Sequence, residues 1–197
     1  MGVLDLEAWR DMTNSSAYGL VSADSHVIEP RDLFETPLPS ALRNRAPKLA
    51  SWSEGEARMV EGAEPVPLPL AAATGSGYRD QNGSARRAAI IFDAVLPALY
   101  DPAERVKAQD ADSVEAEITY PYPGRWDAMK DLDDPDLKLA CVRAYNDWIA
   151  EFTAYDPDRL VGLGKIPSTS SQDGQEGLHR CIEELHLRGV IIEAWPG

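Results

Sequence analysis

The second half of the chain carries apolar residues at helical spacing, and the clearest run begins after Asp134-Pro135. Asp is a common N-cap residue, and Pro is favoured at the first helical position. Apolar side chains then recur at i, i+3 and i+4 intervals, which predicts an amphipathic helix ending near Tyr155. The predicted core face of this helix contains Leu137, Ala140, Cys141, Ala144, Tyr145, Trp148, Ile149 and Phe152.

Short apolar runs alternate with helical patterns over much of the chain. The runs predict buried strands at 18–23, 114–121, 160–167 and 189–196, and the patterns predict further helices at 88–97, 102–112 and 171–187. Alternating strands and helices with continuous apolar strands indicate parallel βα units, so the predicted class is α/β. Four such units form either part of a doubly wound sheet or half of a barrel. No Gly-rich phosphate loop follows the first strand, which removes the main support for a dinucleotide-binding sheet.

Two segments lack this alternation. Residues 1–17 form a predicted N-terminal arm, and residues 30–88 form a long irregular excursion rich in Pro, Gly and Ser. Within the excursion, LASW and ARMV flank the turn residues SEGE, which predicts a small hairpin. A functional lid and a surface excursion without a role are equally compatible with this length. We treat residues 1–197 as a single partial domain.

Composition narrows the classes of partner. The chain has 197 residues and a net charge of −14. Such a charge repels nucleic-acid backbones and anionic membrane surfaces, so we expect neither as a partner. The acidic N-terminus lacks the features of an export signal, and no apolar run is long enough to span a bilayer. The two cysteines, Cys141 and Cys181, lie on apolar helix faces and are predicted to be reduced core residues, which favours a cytoplasmic location.

The stretch VSADSHVIEP, residues 21–30, is the strongest candidate for chemistry. Side chains on a strand alternate between its faces, so Asp24 and His26 share a side while Ser25 points away. A carboxylate and an imidazole at the carboxyl end of a strand suit zinc or manganese. The alternative is that Asp24 caps a turn and His26 is a solvated loop residue. Short D-x-H matches are common by chance, so spacing alone favours that alternative.

A resemblance to a known family changes this balance. The segment VSADSHVIEPRDLFE resembles the opening of the amidohydrolase-related family, in the branch of aminocarboxymuconate-semialdehyde decarboxylase. Three later segments resemble successive βα units of that family in the same order. They are DPAERVKAQDADSVEAEITYP, AYNDWIAEFTAYDPDRLVGLGKIP and CIEELHLRGVIIEAWPG, so the resemblance covers about residues 19–38 and 100–197.

This resemblance implies the N-terminal half, about four βα units, of a TIM-like (β/α)8 barrel with a divalent metal at its carboxyl face. It implies that Asp24 and His26 are metal ligands from the first strand and that Glu29 contacts the metal, a water or the loop. Zinc is the first expectation for the metal and manganese the second. The family takes further ligands from later strands. The other two histidines, His179 and His186, fall in the last predicted helix and are expected to be solvated.

Other polar residues lie at or just beyond predicted strand ends, where barrel enzymes place their chemistry. Tyr120, Lys165 and Glu193 are candidates for a substrate pocket, although a solvated Lys165–Glu193 ion pair is the favoured interpretation because strand-end charges usually face water. Arg125 with Trp126 could line a pocket for an anionic aromatic acid.

The leading hypothesis is therefore an N-terminal fragment of a metal-dependent hydrolase or decarboxylase acting on a small carboxylic acid, and the fragment alone is expected to be inactive. The alternative is a non-catalytic half-barrel that acts as a binding or assembly partner. An open half-barrel would expose a strand edge and an apolar inner face, so we expect a homo-oligomer.

Overall fold

A computed structural model describes residues 19–52, 55–69, 90–122, 126, 129 and 132–192. Its centre is a four-stranded parallel sheet in which the strands lie in the same order as in the chain. These strands are β1 (Leu20–Val27), β5 (Val114–Pro121), β6 (Leu160–Lys165) and β7 (Gly189–Ile191). A doubly wound sheet reverses its strand order, whereas a barrel adds each strand beside the last. The uninterrupted order therefore confirms the barrel alternative.

Helices connect the parallel strands. They are α1 (Pro102–Asp112), α2 (Pro135–Thr153) and α3 (Ser171–His179), and a π-helical turn, Arg180–Glu184, follows α3. Asp101 and Asp134 cap α1 and α2 by accepting hydrogen bonds from backbone N–H groups two and three residues ahead. Both helix starts agree with the predictions. Among the described residues, no helix has the length and apolar character that crossing a bilayer requires.

The core lies between α2 and the sheet. The predicted apolar face of α2 is buried or partly buried, and Cys141 and Cys181 are buried free thiols as predicted. Gly162 of β6 allows the close approach of α2, because a Cβ there would lie 2.8 Å from Ile149 Cγ1. Larger residues at position 162 would separate the helix from the strand.

The described part of the excursion after β1 is ordered and packed against the core. The predicted hairpin is present as β2 (Lys48–Trp52) and β3 (Gly55–Met59), and β4 (Val66–Pro67) adds a third antiparallel strand. Phe34, Leu38 and Val60 are buried in the main cluster. The described part of the excursion thus packs beside the start of α2, where Arg45 pairs with Asp134 at 2.6 Å. The predicted arm, 1–17, and residues 70–88 lie outside the described residues.

Three predicted boundaries were wrong. β1 extends beyond residue 23 to Val27, so the D-x-H motif lies inside the strand, next to a register irregularity between Ser22 and Ser25. The predicted helix at 88–97 is replaced, in its described part, by a short 3-10 turn at Phe92–Ala94. There Phe92 N–H donates to Glu56 Oε2 at 2.6 Å and Glu56 N–H donates to Ile90 O at 3.0 Å. These bonds to the hairpin replace the bonds that a helix would form.

The third wrong boundary is the end of the helix predicted at 171–187. Helical structure stops at Glu184, because His186 takes a left-handed conformation with φ 56°. His186 therefore lies beyond the helix, although it is exposed as predicted, like His179. In this segment Leu178 and Ile182 are 46% and 38% exposed, whereas Cys181 is buried.

The two outer strands of the sheet expose apolar residues. Leu20 and Val21 of β1 are 60% and 57% exposed, and Ile192 just after β7 is 54% exposed. A groove of about 310 Å³ lies beside β7 between Ile166, Leu178, Val190 and Ile192. In the described residues, β1 and β7 each have a neighbouring strand on one side only.

Candidate functional site at the carboxyl end of the sheet

His26 lies near the carboxyl end of β1, in register with Tyr120 of β5. Its Nδ1 lies 3.2 Å from the carbonyl oxygen of Pro121. A carbonyl can only accept a hydrogen bond, so this contact requires a proton on Nδ1. In the neutral ring, Nε2 then carries the lone pair that a metal or an acidic proton would use.

Asp24 lies beside that lone pair. Its Oδ1 is 3.5 Å from His26 Nε2, and the carboxylate is 84% exposed. Two ligand atoms that each bind one cation at about 2.1 Å lie roughly 3.0–3.4 Å apart, so this spacing fits a shared cation. Within the part of the chain that the structure describes, no three His, Cys, Asp or Glu residues come together as a metal site. This pair therefore supplies two ligands.

Aromatic rings surround the imidazole of His26. The ring centroids of Tyr120 and Tyr122 lie 6.1 and 5.9 Å from that of His26, and both rings are tilted. Tyr120 thus lies next to His26, one of the two predicted metal ligands. Tyr122 was not predicted; its position one residue beyond β5 was the available signal.

Glu29 is buried behind the motif instead of facing solvent. Only 2% of it is exposed, and its Oε1 accepts a hydrogen bond from the indole Nε1–H of Trp126 at 2.8 Å. Trp126 packs edge-on against Phe34 and Tyr145. The indole thus holds the Glu29 carboxylate in a defined position within the loop.

Lys165, at the end of β6, faces the same aromatic residue. Its Nζ lies 4.5 Å from the centre of the Trp126 ring, a cation–π distance, and 3% of the residue is exposed. The favoured interpretation of Lys165 as a solvated strand-end charge was therefore wrong, because Trp126 and the core side of α2 cover it. Its predicted partner Glu193 and the pocket candidate Arg125 lie outside the described residues.

The side-chain amide of Asn146 in α2 forms hydrogen bonds with both backbone polar groups of Lys165. Its Oδ1 accepts from Lys165 N–H at 2.7 Å, and its Nδ2 donates to Lys165 O at 2.9 Å. Asn146 was not predicted. An amide between the core positions Tyr145 and Ile149 on an otherwise apolar helix face was the signal, because a buried amide requires partners.

Comparisons with known proteins agree with this architecture. No protein-family model matches the chain. The chain is 30% identical over 105 residues to 2-amino-3-carboxymuconate-6-semialdehyde decarboxylase of Dictyostelium discoideum, a match that covers 52% of the chain and 28% of that protein. The resemblance to the amidohydrolase-related family is confirmed.

Solved amidohydrolase-related structures share the fold. The chain superposes on an amidohydrolase from Mycobacterium avium subsp. paratuberculosis with a TM-score of 0.65 and 16% identity, covering 93% of the chain and 51% of that structure. For 5-carboxyvanillate decarboxylase of Novosphingobium aromaticivorans, solved with bound manganese, the TM-score is 0.53 at 18% identity, covering 93% and 44%. The chain thus spans about half the length of these barrels or less, which confirms the half-barrel prediction.

Proposed function

We propose that the chain provides the first four βα units of a metal-dependent decarboxylase that acts on a small carboxylic acid. The observation that carries the proposal is the pairing of Asp24 Oδ1 with the lone-pair nitrogen of His26 at 3.5 Å, at the carboxyl end of β1. Both the curated relative and the manganese-containing neighbour are decarboxylases by name, which favours decarboxylation over hydrolysis. Hydrolysis is the second reaction to assay.

In this proposal Asp24 and His26 hold a divalent metal. The metal would act as a Lewis acid that binds and orients the substrate carboxylate. Manganese is the first metal to test because the neighbouring decarboxylase contains it, whereas the comparisons offer no support for zinc.

The neighbouring residues of the chain orient the imidazole and line the site. Pro121 O holds the His26 ring in the orientation that presents Nε2, and Tyr120 and Tyr122 flank that ring. The buried Lys165 lies at the same, carboxyl end of the sheet, and its positive charge favours an anionic substrate over a neutral one. Arg125 and Glu193 remain predicted pocket residues, and Glu29 a predicted contact of the metal, a water or the loop.

The first experiment is a titration of the chain with Mn²⁺ followed by electron paramagnetic resonance. Two ligands hold a metal weakly, so we expect saturable binding that is lost on dialysis. Asp24→Asn and His26→Gln should each abolish it, whereas Asp93→Asn should not. Asp93 is a matched control because its carboxylate is also 84% exposed and lies beside Arg31, at 3.9 Å, instead of an imidazole.

Two outcomes contradict the proposal. Unchanged Mn²⁺ binding in Asp24→Asn would show that the ligand assignment is wrong. One tightly held metal per monomer after dialysis would show that the chain supplies more ligands than Asp24 and His26. Decarboxylase activity is assayed with the protein expressed from the whole reading frame, which includes the chain and any further barrel units.

A non-catalytic half-barrel that binds or assembles with a partner is the second candidate, and a homo-oligomer is its simplest form. The exposed Leu20, Val21 and Ile192 at the two outer strands favour it. Light scattering on the purified chain tests this candidate: a monomer at high concentration would exclude self-assembly.

A further inference from the structure

The side chain of Arg105 in α1 contacts β1, the strand that carries the predicted metal ligands Asp24 and His26. Its guanidinium forms a two-point ion pair with Glu117 of β5, in which Nε donates to Oε1 and Nη2 donates to Oε2 at 2.9 Å. The two side chains are 11% and 5% exposed, so the pair is almost fully buried. Glu117 thus holds the guanidinium in one orientation beneath the sheet.

The remaining nitrogen of Arg105 joins two backbone segments. Its Nη1 donates to the carbonyl oxygens of His26 and of Ala98, both at 3.3 Å. Ala98 lies in the 3-10 turn Pro97–Leu99, and Leu99 O accepts from Ile28 N–H at 2.8 Å. The backbone immediately after the His26 side chain is therefore held at two consecutive points, once by Arg105 and once by the turn that Arg105 also contacts.

We propose that Arg105 is a positioning residue that sets the orientation of the His26 ring for ligand binding. The proposal rests on the proposed function, because it assigns a role to Arg105 in the same site. By holding His26 O, Arg105 restricts the His26 backbone next to the bulge at Ser22–Ser25, where ladder bonding to β5 is interrupted. With the backbone held, Nδ1 stays against Pro121 O and Nε2 stays toward Asp24.

The geometry requires arginine and not only positive charge. Arg105 binds a carboxylate with two nitrogens and carbonyls with the third, a fork that a lysine ammonium cannot reproduce. Arg105→Lys retains a cation for Glu117 but loses the simultaneous contacts with His26 O and Ala98 O. If Arg105 only balanced the charge of Glu117, replacing it with lysine would leave the orientation of the His26 ring unchanged.

The test uses nitrogen NMR on the chain labelled at histidine. The chain has three histidines, and the exposed His179 and His186 serve as internal references. On the neutral ring, wild-type His26 should carry its proton mainly on Nδ1. Arg105→Lys should shift His26 toward the Nε2–H form that solvated histidines prefer, and Glu117→Asp, which draws the carboxylate back by one methylene, should shift it in the same direction.

Arg159→Lys is the matched control at the opposite end of β5. Arg159 also combines a carboxylate with two strand carbonyls, because it bonds Asp110 Oδ1 at 2.7 Å, Glu115 O at 3.2 Å and Val114 O at 3.0 Å. In the described part of the chain, none of these hydrogen bonds reaches β1. The Arg159 variant should leave the His26 proton on Nδ1 even if it lowers the stability of the fold.

A Mn²⁺ titration supplies the second readout. Loss of a partner that orients a ligand typically weakens metal binding by about 10–100-fold, and we expect a change of that size in Arg105→Lys and none in Arg159→Lys. An unchanged His26 tautomer in both Arg105→Lys and Glu117→Asp, or an equal shift in Arg159→Lys, would overturn the inference. Wild-type His26 protonated on Nδ1 but without Mn²⁺ binding would instead count against the proposed function alone.

Discussion

The two ends of the parallel sheet differ in how exposed their charged side chains are. At the carboxyl end, Glu29 and Lys165 are 2% and 3% exposed and lie against the indole of Trp126. At the amino end, Arg159 pairs with Asp110, whose side chain is 65% exposed. Burying charge costs free energy that an exposed ion pair does not. The carboxyl end therefore holds these polar side chains out of water, whereas the amino end keeps its ion pair in contact with water.

The same contrast holds for buried amides. Asn146, below the carboxyl end, uses both its oxygen and its nitrogen on the backbone of Lys165. Gln109, near the amino end, makes one long bond of 3.4 Å to Arg159 O, and its Oε1 has no hydrogen-bond partner among the described residues. Both polar atoms of the Asn146 amide are thus hydrogen-bonded, whereas the oxygen of the Gln109 amide is not. We therefore expect equivalent substitutions at the two ion pairs, and at the two amides, to lower the free energy of unfolding by different amounts.

The largest expected effect is at the buried ion pair next to His26. Glu117→Gln leaves the Arg105 charge buried without its counterion, and such a loss costs about 3–5 kcal/mol of unfolding free energy. Asp110→Asn, at the exposed pair, should cost about 0–1 kcal/mol. Urea unfolding followed by circular dichroism measures both. Equal losses would remove the expected energetic difference between the buried ion pair and the exposed one.

The amides provide the next contrast. Asn146→Ala leaves the backbone N–H and carbonyl of Lys165 without their partners, which should cost about 1–3 kcal/mol. Gln109→Met removes one weak bond together with an unsatisfied oxygen, so its stability should stay within about 1 kcal/mol of wild type. The measurement is again urea unfolding. A larger loss in Gln109→Met than in Asn146→Ala would contradict the comparison.

The buried thiols of Cys141 and Cys181 predict that the free energy of unfolding depends on pH. Burial raises the pKa of Cys141 from 9.0 to about 12, with Arg58 acting in the opposite direction, and burial raises that of Cys181 to about 11. The folded state therefore keeps these protons at pH values where the unfolded state loses them. Stability should be unaffected by the thiols below pH 9.0 and fall above it, up to about pH 11 through Cys181 and about pH 12 through Cys141.

Other groups also titrate at alkaline pH, so the decisive quantity is a difference between variants. From pH 8 to pH 10, the unfolding free energy of Cys181→Ala, measured by urea unfolding, should fall less steeply than that of wild type, by at most about 1.4 kcal/mol per pH unit. Identical slopes would mean that water reaches the Cys181 thiol in the folded chain.

The smallest effect on stability is expected at the exposed ligand itself. Asp24→Ala should change the unfolding free energy by no more than about 0.5 kcal/mol, because the side chain is almost fully exposed. It should nevertheless abolish Mn²⁺ binding. Loss of stability in this variant would indicate that Asp24 supports the bulge of β1 and is not kept free for a ligand.

The helices α1 and α2 and the β2–β3 hairpin could be predicted because their signals are local. The Asp101 and Asp134 caps act on N–H groups two and three residues away, and the turn residues between the hairpin strands are adjacent in the chain. The helix predicted at 88–97 failed because Glu56, more than 30 residues earlier, binds that backbone. Propensity within a short window does not contain such a contact.

The sequence by itself determined the βα alternation, the starts of α1 and α2 and the position of Asp24 and His26 at the first strand, since these follow from side chains within a few positions of each other. Only the tertiary structure decided which nitrogen of His26 faces Asp24, because the carbonyl that holds the ring lies 95 residues away. It also decided that Glu29 is held by Trp126, 97 residues later, and that Lys165 is buried. Hydrogen bonds and burial across such distances depend on how the strands pair, and no local pattern encodes that pairing.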